Sequence, residues 1–347
     1  MTLVVGERVG IGLRLPPCAS AAELADAAAR AEQLGFDAVW FPDSQLLWRD
    51  VWVVVAAAAR ATSSINLGVA VTNVETRHPS VTASAIRTVE ELAPGRLRTG
   101  FGTGNSSLGL LGIAPTPRAR LGPALDDIRA LLAGADVQLG GGVGRLRDPR
   151  PGSPLYMAAS GPKNLRFAGA QADGVVLLSG VSVPLLTRTM ATVQEGIRES
   201  GRSLAEVPVV VSAFAHVTDD VARDVRMLKP LCAQLAIGGA AGALAAEGVH
   251  LEPPPAPPFS GVHRDLVHVE NWEQAIAAVD SWVSDNAVTR FAEQFCLFGT
   301  LDVIEERLAA VASIGVSEVL VQHVGSYDLP WNLMRQLAPL LGSGVPA

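Results

Sequence analysis

Lysine is almost missing from this chain of 347 residues: Lys163 and Lys229 are the only two, so nearly all the positive charge is arginine. The planar guanidinium suits phosphates and carboxylates better than a point charge does, although an Ala-, Gly- and Arg-rich composition produces the same bias with no ligand involved. Charged residues of either sign make up only 18% of the chain, and the balance is acidic, with a net charge of −7. No basic stripe overrides that total, so a phosphate backbone finds no positive surface and a general nucleic-acid binder is excluded. Cysteine is limited to Cys18, Cys232 and Cys296. That odd number, without metal-ligand spacing, predicts neither a disulfide framework nor a metal site, and reduced thiols fit a cytoplasmic protein. Long apolar runs are also lacking: residues 51–59 form the longest and stop at Arg60, and the N-terminus has no basic segment followed by an apolar core. No membrane partner is expected.

What is present is rhythm. Hydrophobic residues make up 49% of the chain, enough for two buried layers. Short β-rich runs at 9–15, 38–41, 65–71, 96–101, 155–158, 174–178, 207–214 and 318–322 alternate with helical patterns such as 21–34, closed by Gly35, and 182–200, closed by Gly201. Eight strands in βαβ alternation predict an α/β protein with a parallel sheet. Residues 9–17 lack the Gly-rich dinucleotide turn of an open doubly wound sheet, which favours closure into a (β/α)₈ TIM barrel. The expected organisation is one domain, 1–347. Two segments depart from the rhythm: a Gly-rich loop at 134–154, read as mobile, and a mostly helical insertion at 215–298 interrupted by Pro253, Pro254, Pro255, Pro257 and Pro258. The second follows strand seven and is expected to form a lid or side wall at the catalytic mouth.

Several motifs stand in order along the barrel pattern. Gly35-Phe36-Asp37-Ala38-Val39-Trp40-Phe41-Pro42-Asp43 closes a helix and places Asp43 at a strand end. Then come Gly68-Val69-Ala70-Val71-Thr72-Asn73, Thr76-Arg77-His78-Pro79, Gly100-Phe101-Gly102-Thr103-Gly104 and Ala158-Ala159-Ser160-Gly161-Pro162-Lys163. Phe298-Gly299-Thr300 precedes the last helix-strand pair. Together these resemble the bacterial-luciferase-like superfamily, in particular its methylenetetrahydromethanopterin reductase branch, whose members use the deazaflavin coenzyme F420. The resemblance covers nearly the whole chain except the Pro-rich insertion.

The resemblance implies an oxidoreductase that moves hydride between F420 and a small-molecule substrate, acting as a homodimer. Its alternatives are an FMN-dependent monooxygenase on the same barrel and a barrel that has lost catalysis. It puts Thr103, Gly104 and Asn105 against the deazaflavin, where family sugar-phosphate dehydrogenases carry an acid in place of Asn105. It implies a non-prolyl cis peptide at Ala70-Val71 or its neighbour, behind the cofactor ring, with Thr72 and Asn73 following. Ala158, Ala159, Ser160 and Gly161 lead into a helix whose N-terminal amides can hold a phosphate, with ordinary capping by Ser160 as the alternative. Lys163 and Arg166 offer charge to an acidic cofactor tail, or form a solvated face. His78 either touches that tail or caps its own helix. Asp43, Ser44 and Trp48 match an Asp-His…Trp pattern with serine in the histidine's place. Serine is no base near neutral pH without a partner, so alcohol oxidation is disfavoured and reduction of a C=C or C=N bond is expected. Arg14, Ser212, His216 and His323, at other strand ends, are the candidate substrate groups, with Gln322 assigned to the outer layer.

Overall fold

The computed structural model describes residues 8–251, 266–269, 271–325 and 327–342; the five prolines between 253 and 258 lie outside them. In chain order the strands are β1 (Gly10–Arg14), β2 (Ala38–Phe41), β3 (Asn66–Thr72), β4 (Leu97–Phe101), β5 (Val137–Leu139), β6 (Gly142–Gly144), β7 (Leu155–Ala159), β8 (Gly174–Leu177), β9 (Val209–Val217), β10 (Cys296–Gly299) and β11 (Glu318–Gln322). Eight of them, β1 to β4, β7, β8, β9 and β11, pair in parallel around a closed circuit, β8 joining β9 and β11 returning to β1. This is the expected (β/α)₈ barrel.

Local chemistry sets the elements. Helix Ala21–Leu34 opens on a reciprocal cap between Ser20 and Glu23 and closes on Gly35 in the left-handed conformation. The strand it feeds, β2, is buried at all four positions because helices cover one face and the barrel interior the other. Between strands and helices runs the larger core, built on residues such as Val39, Phe41, Leu67 and Val211. The interior is a smaller cluster of Trp40, Tyr156, Val176, Val210 and Leu320. Trp40 meets Tyr156 edge-on with centroids 5.8 Å apart. Its indole donates at 2.6 Å to Glu318, which also pairs with Arg98 at 2.6 Å. Residue 68 must be glycine here, since a Cβ would lie 2.0 Å from Trp40 Cε3.

Two segments differ from the sequence reading. Residues 134–154 contain an antiparallel hairpin, β5 with β6. It follows helix Arg118–Leu132 and precedes β7, so it hangs from the end of the barrel opposite the strand C-termini. Strand seven runs to Val217, past the assigned start of the insertion at 215, because residues 214–217 gain a partner in β10, a ninth parallel strand. The insertion has its own core, where Leu228, Leu231 and Cys232 pack against Trp282, Val288 and Phe291. Its helical stretch Val221–Ala246, 26 residues, outreaches the 51–59 run and is apolar enough to cross a membrane by length and composition. That stretch is broken by Gly239 at φ +94°; Val225, Leu228, Leu231, Cys232 and Leu244 pack into this core, while Leu235 and Ile237 are exposed.

Gly68→Ala should cost about 1–3 kcal/mol by forcing Trp40 off its seat. Urea unfolding checks it, and a variant as stable as the parent would show that the barrel interior can repack.

Candidate functional site

All eight barrel strands point the same way, so the residues at their C-terminal ends share one mouth. Two adjoining chambers open there, of about 230 and 240 Å³. The first is bounded by Asp43 and Ser44 after β2, Ala70 and Val71 in β3, Gly104 after β4 and Ala158 in β7. Val176 and Leu320 of the interior cluster also line it. The second contains His323, Tyr327 and Trp272. Arg14, Trp48, His268 and Gln322 line both.

Asp43 is buried, and its Oδ2 accepts from Thr72 Oγ1 at 2.7 Å and from Arg77 at 2.6 Å. Arg77 reaches on to Asp50 at 2.7 Å, tying the β2 loop to the β3 loop and to the N-cap of helix Val51–Ala61. Burial pushes the Asp43 carboxyl above the usual carboxylate range despite the opposing Thr72 and Arg77. Ser44 is 3% exposed, and among the described residues its hydroxyl has no hydrogen-bond partner. Trp48 stacks on Tyr327, centroids 5.2 Å apart and planes 10° from parallel, and meets His268 edge-on at 5.9 Å. The Ala70-Val71 peptide is cis, as the resemblance implies.

Other residues nominated from sequence are placed elsewhere. Thr72 and Asn73 are 1% exposed and sit behind the wall. Asn73 is consumed internally: its amide donates to Ser107 Oγ at 3.0 Å and its carbonyl accepts from the Glu75 and Thr76 amides at 2.9 and 2.8 Å. His78 caps helix Pro79–Leu92, Nδ1 accepting from the Ser80 amide at 3.3 Å. Thr103 is half-buried, its carbonyl accepting from Thr116 at 2.8 Å, and Ala159 faces the outer core. Ser160, Gly161 and Lys163 are exposed, and Gly161 rather than Ser160 is the N-cap of helix Pro162–Gln171. Arg166 pairs with Glu199 on the next helix, so it is engaged away from the mouth. His216 lies 3.5 Å from Asp224 and against Phe298, outside both chambers. Asn105 opens the short helix Asn105–Gly109, and its side chain is outside the described set.

Gln322 is a correction in the other direction. It faces the mouth and donates to Ser212 Oγ at 2.5 Å. Strand parity carries the signal for this: Glu318 and Leu320 both point inward, so a residue two further on does too. His268 comes from the insertion, where no pattern marks it. His323 takes its place beside Arg14 and Trp48, with Nε2 at 3.5 Å from Asp328, but in the chamber that Ser44 does not line.

A family model described as luciferase-like monooxygenase matches residues 3–318. The chain belongs to that family. It is 28% identical over 318 residues to a 5,10-methylenetetrahydromethanopterin reductase of Methanolobus tindarius, covering 89% of this chain and 92% of that one. It is 36% identical over 219 residues to an F420-dependent glucose-6-phosphate dehydrogenase of Beutenbergia cavernae, covering 56% of this chain and 63% of that one. The fold matches the solved structure of the coenzyme F420-dependent tetrahydromethanopterin reductase of Methanopyrus kandleri, TM-score 0.74 at 23% identity, over 96% of this chain and 100% of that one.

Because burial favours the neutral form of Asp43, the folded chain holds that proton to higher pH than the unfolded chain does. Its contribution to stability is therefore present at acid pH and lost as pH rises through the shifted value. Relative to Asp43→Asn, the parent should lose unfolding free energy in urea titrations as pH rises above the ordinary carboxylate range. A difference that moves in the parent's favour with rising pH would show that the Arg77 pair outweighs burial.

Proposed function

We propose that this chain is an F420-dependent reductase that transfers hydride from the reduced deazaflavin to a small substrate with a C=C or C=N bond. The observation that carries the reading is the first chamber, which combines small or flat walls with buried polar groups at the strand C-termini. Ala70, Val71, Gly104 and Ala158 leave room for a planar ring system, and the Ser44 hydroxyl, without a partner among the described residues, is placed to hydrogen-bond a ligand there. These residues fit a deazaflavin. Asp43, Ser44 and Trp48 would stand at one side of it and Ala70, Val71 and Ala158 at the other, while the insertion closes the mouth as a side wall through His268 and Trp272. When bound, a deazaflavin delivers hydride in two-electron steps and activates oxygen poorly. The relatives' F420 dependence supports the same reading.

The direction follows from the proton chemistry. Among the described residues Ser44 has no basic partner to take a proton from an alcohol. Asp43 lines the same chamber, and burial raises its affinity for a proton, so it is the carboxyl placed to pass one to the substrate after hydride arrives. Arg14 and His323 flank the substrate side.

Fluorescence titration of the purified protein with F420 and with FMN should give micromolar or tighter binding for the first only; FMN binding without a response to F420 would favour the monooxygenase reading of this family. With reduced F420 and a panel of enones and imines, Ser44→Ala should keep turnover within roughly threefold. Loss of turnover with cofactor affinity intact would make the serine a participant in the chemistry and reverse the assigned direction.

A further inference from the structure

Arg14 differs from the arginines that lock the fold. Arg77, Arg98, Arg129 and Arg166 all pair with carboxylates. Among the described residues, no hydrogen bond or ion pair reaches the Arg14 guanidinium, although it ends β1 inside the mouth and lines both chambers. Its one defined contact is with the face of Trp48, Cζ lying 5.5 Å from the ring centroid. Trp48 is held flat in turn by Tyr327, whose hydroxyl donates to the Leu47 carbonyl at 2.5 Å. Loss of water around the guanidinium lowers its pKa to about 10.

A half-buried cation with unfilled donors is costly to keep in a cavity, and a ligand that supplies the missing acceptors offsets that cost. The aromatic face beneath Arg14 fixes the plane of the fork and leaves its N–H edges for an oxygen pair. Close by, the Gln322 amide donates to Ser212 Oγ, so the serine proton is left to donate onward. No other arginine or lysine lines either chamber among the described residues. One fixed positive charge matches a monoanion, whereas a phosphate dianion would leave a negative charge uncompensated in a partly dry cavity.

We propose that the substrate is an unsaturated carboxylate, held by Arg14 through a two-point pair at the junction of the chambers with its reducible bond lying in the first. This deepens the hydride-transfer reading and rests on it for the reaction, but the carboxylate site is testable without any cofactor.

The probes are cinnamate and methyl cinnamate, which share a conjugated C=C bond and differ in charge. Calorimetric titration of the cofactor-free protein should show cinnamate binding at least about tenfold tighter than the ester, with the preference gone in Arg14→Gln and in Arg14→Met. Arg14→Lys, which keeps the charge and loses the fork, should fall between. Both neutral variants should melt no lower than the parent, since they remove an unpaired, half-buried cation. Equal binding of acid and ester, binding of neither, or a preference that survives Arg14→Gln would each overturn the proposal. So would tighter binding of inorganic phosphate than of cinnamate. F420 titration of the same variants keeps the two readings apart: unchanged affinity is expected, and a loss confined to F420 would assign Arg14 to the cofactor instead. Failure of F420 to bind the parent, with cinnamate selectivity intact, would overturn the hydride-transfer reading alone.

Discussion

The barrel depends on how its interior is filled at the level of Trp40. A closed ring of eight parallel strands leaves a space that side chains must occupy, and large residues fit only opposite small ones. Trp40 fills it because residue 68 has no side chain and because Glu318 and Arg98 accept the burden of its indole N–H and of each other's charge. The top of this plug is also a floor. Val176 and Leu320 belong to the interior cluster and to the lining of the first chamber, and Ala70 and Ala158 are the small residues that pack against the one and open into the other. Below them the barrel is solid; above them it is a cavity. Packing and site are one continuous stack of side chains.

Above that floor, polar clamps shape the walls. The chain from Thr72 through Asp43 to Arg77 and Asp50 holds the β2 and β3 loops in fixed relation, at the cost of burying a carboxylate. Asn73 does the same for the turn after β3 and the loop after β4, using its amide and carbonyl at once. These residues spend hydrogen bonds on the protein itself. Ser44 and Arg14, which line the chambers, have no such partners among the described residues.

The fold was legible in the sequence because alternation of apolar runs and capped helices repeats eight times, and period and caps are local properties. What escaped was non-local. Residues 214–217 extend their strand only because β10, some eighty residues on, lies beside them. For the site, motifs marked which strand ends matter but not which way each side chain turns. Asp43, Ala70, Val71 and Ala158 face the chamber while Asn73 and Ala159 turn away, a distinction set by the pleat and by hydrogen bonds made after the chain folds. Gln322 was within reach of parity counting from Glu318. His268 was not, since the insertion carries no periodicity that ties it to the mouth.

The central claim is that the chamber on the Trp40 floor holds the deazaflavin ring. A crystal structure of the protein soaked with F420 tests it most directly. The account predicts tricyclic density between Ala70-Val71 and Ala158 on one side and Ser44 on the other, with the Ser44 hydroxyl bonded to the ligand. Density at the opposite end of the barrel, or a ring seated away from those walls with Ser44 still unbonded, would contradict it.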